Sequence, residues 1–69
     1  MSDPKETKLA QALRHVESGK RIVAAQEKLI SQIKAEGGDA KGAESLLDSF
    51  LQTQATFEDD LRLVVKQMA

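Results

Sequence analysis

From Ala43 to Met68 the apolar residues recur at alternating steps of three and four: Ala43, Leu47, Phe50, then Phe57, Leu61, Val64 and Met68, interrupted once, by Gln54. This is the spacing of a helix buried along one stripe, and it writes as heptads, with Leu47, Gln54, Leu61 and Met68 at a and Ala43, Phe50, Phe57 and Val64 at d. A second series precedes it, with Leu9, Val16, Val23 and Ile30 at a and Ala12, Gly19, Gln26 and Ile33 at d. Between the two lies the segment EGGDAKG, whose glycines break the pattern. Two apolar-striped helices joined by so short a break become antiparallel neighbours and bury their stripes on each other. The expected fold is therefore all-α, an antiparallel two-helix coiled-coil hairpin.

The ends of the elements follow from local chemistry. Asp3 is placed to cap the first helix, with Pro4 at its first position and Glu6 three residues after the cap. Gly37 suits the left-handed conformation that closes a helix, and Asp39 suits the cap of the next. The reading is one domain over 1–69, with helix 1 at about 4–36, a turn at 37–39 and helix 2 at about 40–68. No strand-like alternation of four or more residues occurs.

Antiparallel pairing sets a against d of the other helix, and one register places the two polar seam positions, Gln26 and Gln54, opposite each other. It pairs Ile33 with Leu47, Ile30 with Phe50, Val23 with Phe57, Gly19 with Leu61, Val16 with Val64 and Ala12 with Met68. On one flank it matches Leu13 with Val65, Lys20 with Glu58 and Lys34 with Glu44, the last two of opposite charge. A buried amide is costly without a partner, so a matched pair of them is an expected device for fixing register.

The other flank holds Ile22, Leu29 and Leu46, which have no place in a two-helix seam. With Leu51 and Leu63 they widen the apolar surface toward that of a helix in a bundle. A chain of 69 residues buries little surface by itself, and with no cysteine and a single histidine it lacks disulfides and the usual metal ligands. Oligomerisation remains. The expectation is a homodimer, two hairpins forming a four-helix bundle, with His15, Ile22, Leu29 and Leu46 at the interface.

Phe50 and Phe57 are the sole aromatic residues, and ten basic residues stand against eleven acidic ones. Neither an aromatic platform nor a basic stripe for nucleic acid results. No run of 18 apolar residues and no leader-like start occurs, and the polar faces mix charges, so the expectation is a soluble, cytoplasmic protein that does not act on membranes.

His15, in RHVESGKR, is the natural candidate for chemistry, with Gly19 four residues on and on the same side of the helix. Histidine-phosphotransfer helices also carry a glycine four residues beyond their histidine. Ser18 stands here where those helices have lysine, and Val16 and Lys20 stand where histidine-kinase dimerisation helices have an acidic residue and a proline. The plainer reading makes His15 an interface neighbour and Gly19 a space-maker in the seam. Glu58, Asp59 and Asp60 are consecutive on a helix, point in three directions and cannot converge on one ion. Phosphate-loop, dinucleotide and zinc-protease motifs are absent, so no catalytic, cofactor or metal residue is assigned.

The succession HVESGKRIVAAQEKLI and EGGDAKGAESLLDSF resembles a group of small uncharacterised bacterial helical-hairpin proteins. In these a helix of the form H-[VI]-x-x-G-x-R-x-[VI]-x-x-Q is followed by a G-x-D-[TA] turn and a leucine-rich helix. His15, Val16, Gly19, Arg21, Val23, Gln26, Gly37, Asp39, Leu46, Leu47 and Phe50 carry the match. The resemblance implies a helical hairpin and no known activity. The functional expectation is a non-enzymatic, homodimerising interaction module without cofactor, whose partners are itself and an unidentified protein. The alternative is a histidine-phosphotransfer-like or signalling adaptor using His15.

Overall fold

The computed structural model describes residues 7–68 and contains two helices, α1 (Lys8–Ala35) and α2 (Lys41–Met68), packed against each other as an antiparallel hairpin. Thr7 caps α1: its backbone is extended and its hydroxyl accepts the Ala10 N–H at 3.1 Å, satisfying one of the free donors of the first turn. The start expected at Asp3, Pro4 and Glu6 lies outside the described residues.

The turn is closed by hydrogen bonds at both helix ends. Gly37 takes φ +77°, its N–H donates to Lys34 O at 3.1 Å, and the Gly38 N–H donates to Ile33 O at 2.8 Å. These two bonds satisfy carbonyls that the end of α1 would otherwise leave free. Asp39 Oδ1 accepts the Lys41 N–H at 3.0 Å, and the Ala40 carbonyl accepts the first bond of α2 from Glu44 N–H at 2.8 Å. At the same end the Lys34 ammonium stands 3.8 Å from the Glu44 carboxylate, each complementing the dipole of its own helix.

The register differs from the expected one by a full heptad. Gln54 on α2 lies against Gly19 and reaches the Val16 carbonyl, Gln26 on α1 reaches the Ala43 carbonyl, and the His15 ring sits 5.1 Å from that of Phe57. These contacts set Val16 level with Phe57, Val23 with Phe50, Gln26 with Leu47, Ala12 with Leu61 and Ile33 with Ala40. Gln26 and Gln54 therefore do not face each other, and Gly19 faces Gln54 rather than Leu61. Met68 is 65% exposed and has no seam partner among the described residues, while Ala40, outside the expected pairs, is buried. Lys20 pairs with Glu17 on its own helix at 3.6 Å instead of with Glu58, and Leu13 and Val65 both stay exposed.

Chain closure is the physical reason. α1 ends at Ala35 and α2 begins at Lys41, so the capped turn delivers Ala40, not Leu47, to the level of Ile33. The expected register would make 34–46 the link and unwind the first turns of α2, forfeiting their hydrogen bonds.

Candidate functional site: the exposed helix edge

The hairpin measures 49 × 24 × 13 Å, so its thinnest dimension is that of one helix with its side chains. A single layer cannot enclose a core. Among the described residues no large side chain is fully buried, and the buried apolar residues are Ala12, Val16, Ile30 and Ala40. Of the seam residues, Val16, Gly19, Gln26, Ile30 and Gln54 are buried, and Val23, Ile33, Leu47, Phe50, Phe57, Leu61 and Val64 are half-buried.

Two amides are the most specific elements of the seam. Gln26 Nε2 donates to Ala43 O at 2.9 Å and Gln54 Nε2 donates to Val16 O at 3.0 Å, so each glutamine ties its helix to the main chain of the other. Both are 8% exposed. A Cβ on Gly19 would collide with Oε1 of Gln54, which is buried and accepts no hydrogen bond. The room at Gly19 is thus filled by the Gln54 amide and does not open toward His15.

His15 is exposed, rests against Phe57 and shares a shallow hollow at the open end of the hairpin with Lys8, Gln11, Ala12, Asp60 and Val64. Asp59 turns away to meet Arg62 at 3.2 Å, as the dispersal of consecutive helix positions requires.

Ile22, Leu29 and Leu46 lie on the same edge as His15 and are 47%, 44% and 46% exposed. Around them α1 contributes Ser18, Ala25 and Gln32, and α2 contributes Ser49, Thr53 and Thr56. This stretch carries no charge. The opposite edge differs, with Glu17, Lys20, Glu27 and Lys34 on α1 and Glu44, Asp48, Glu58 and Arg62 on α2 interspersed among Leu13, Leu51 and Val65.

The hydroxyl row on α2 had no place in the sequence reading. Ser49 Oγ donates to Ser45 O at 3.4 Å, Thr53 Oγ1 to Ser49 O at 3.2 Å and Thr56 Oγ1 to Gln52 O at 3.2 Å. Each proton is spent on the carbonyl one turn back, so the row presents carbon and a satisfied oxygen outward. Its signal in the sequence is the spacing of Ser49, Thr53 and Thr56 at i, i+4 and i+7 beside the seam, a small-residue stripe on one helix face.

No helix among the described residues is long and apolar enough to cross a membrane, and no three acidic or histidine side chains there are grouped to hold a metal ion. The chain matches no family model, no curated protein and no solved structure.

Proposed function

We propose that this protein is a self-associating helical hairpin, a homodimer joined along the edge of Ile22, Leu29 and Leu46 into a four-helix bundle, which works by presenting helical surface to another protein rather than by catalysis. The observation that carries the reading is surface. The chain exposes 5436 Å², whereas a folded monomer of its mass exposes about 4,250 Å². Among the described residues eight large apolar side chains are left in water, among them Leu63 at 56% and Ile22, Leu29 and Leu46 on the uncharged stretch. Burying the stretch around Ile22, Leu29 and Leu46 costs little, because it holds no charge to desolvate and the α2 hydroxyls of Ser49, Thr53 and Thr56 are already bonded.

Sedimentation equilibrium from 1 to about 100 μM tests this, with a dimer expected and Ile22→Glu expected to shift the chain toward monomer by placing a charge in the contact. A wild-type chain that is fully helical and monomeric throughout would overturn it. A cytoplasmic setting belongs to the same proposal, since a chain without cysteine needs no oxidising compartment.

A further inference from the structure

Resting on the proposal that the Ile22, Leu29 and Leu46 edge joins two copies, we infer that the copies lie side by side with both turns at the same end, α1 of each resting on α2 of the other. The two strips of this edge are unlike. On α1 the large side chains Ile22 and Leu29 alternate with Ser18 and Ala25, whereas on α2 a row of small side chains, Ser49, Thr53 and Thr56, follows Leu46. A ridge packs best into a shallow row, so α1 is complementary to α2 and neither is complementary to itself.

A two-fold axis parallel to the helices brings α1 onto α2 of the second copy and leaves every residue at its own height. The heights are known from the hairpin, where Gly19 is level with Gln54. Ile22 then falls between Ser49 and Thr53 of the second copy, and Leu29 falls beside Leu46. At the open end, Lys8 and His15 of one copy come to the height of Asp60 of the other, which the hollow they share within one hairpin already shows to be level. Unlike groups meet there, as suits a contact that must also select its register.

An axis across the helices gives the other arrangement, with the turns at opposite ends. It lays α1 on α1, Ile22 against Leu29, and leaves the small residues of α2 to face one another across a gap. Aligning the uncharged stretches would also carry Lys8 and Leu63 past the turn of the second copy, leaving Leu63 in water. The hydroxyl row argues independently for burial beneath large side chains. Each of its three protons is already donated within α2, so covering the row with Ile22 and Leu29 strands no donor.

The chain has no cysteine, so single cysteines report the arrangement without background. Ala25→Cys and Ser49→Cys chains, each confirmed as helical by circular dichroism, are unfolded together, refolded and oxidised. Same-end packing yields the mixed disulfide in at least five-fold excess over either symmetric one. An Ala25→Cys disulfide with itself would overturn the inference in favour of opposite ends while leaving the shared edge intact. A dimer by sedimentation with none of these disulfides would move the contact to another face, and a monomer would overturn self-association itself. The pair Ile22→Cys and Thr53→Cys gives the same readout should either first variant lose its helicity.

Discussion

The side-chain amide of Gln54 occupies the space that a side chain at Gly19 would take, and from there donates to the Val16 carbonyl at 3.0 Å. Glycine inside a helix costs about 0.5–1 kcal/mol relative to alanine. Here that cost admits an interhelix bond at the middle of the seam. Gly19→Ala must therefore expel the amide, and the expected outcome is a net loss of about 1–2 kcal/mol in urea unfolding, opposite in sign to the helix-propensity gain. Adding Gln54→Ala to Gly19→Ala should cost less than Gln54→Ala does in the native background, a coupling of about 1 kcal/mol or more. Additive effects in the double-mutant cycle would mean that the two residues do not share this space.

Gln54 also buries an oxygen that accepts nothing. Replacing it by leucine removes the orphaned acceptor, and Val16 O keeps its helical partner. Gln54→Leu is expected to raise stability by about 1 kcal/mol, because an apolar group of similar size avoids the desolvation cost that the oxygen carries. Equilibrium unfolding at fixed chain concentration measures it, and a loss of stability would show that the amide bond outweighs the orphaned oxygen.

With Gln26→Leu added, the seam becomes apolar across both polar positions, and the amides no longer distinguish one heptad register from the next. The doubly substituted chain should be more stable yet less unique. In the native background a disulfide between Ala12→Cys and Leu61→Cys is expected to close while one between Ala12→Cys and Met68→Cys is not. In the Gln26→Leu, Gln54→Leu chain the preference should narrow. Equal yields in the native background would contradict the register described above.

Gly37 is the one residue of the described chain at positive φ. A side chain there strains the backbone by about 1–2 kcal/mol, so Gly37→Ala should lower the melting temperature by roughly 5–10 °C for a domain this small. Calorimetry at matched concentration reads it directly, and an unchanged midpoint would show that the turn can close without the left-handed residue.

The Lys34–Glu44 pair bridges the two helices at the turn, but both side chains are half or more in water, at 60% and 51%. Its contribution is expected to be under about 0.5 kcal/mol. Lys34→Ala should therefore shift the urea midpoint less than Gly37→Ala does, and 1 M salt should abolish most of the difference from wild type. A larger, salt-resistant loss would place the pair among the main determinants of the turn.

The sequence by itself determined two helices, their apolar faces, the break at Gly37 and the cap at Asp39, because each rests on spacing or on the conformational preference of one or two neighbouring residues. It left the register open. Moving one helix by seven residues carries every a onto an a and every d onto a d, so Val16 is as well served by Val64 as by Phe57, and pairing Gln26 with Gln54 satisfies the pattern at least as well as the real match. Only the closed turn decided it, since the bonds at Gly37, Gly38 and Asp39 bring Ala40 to Ile33 and leave Met68 in water. The role of Gly19 followed from that choice: a glycine beside a histidine reads as open space, and the tertiary structure fills it with an amide from the other helix. The large apolar members of the exposed edge, Ile22, Leu29 and Leu46, were legible because they fall outside the seam. The bonded hydroxyls of Ser49, Thr53 and Thr56 emerged only with the backbone of α2 in place, because a residue type names a donor but not the carbonyl it meets.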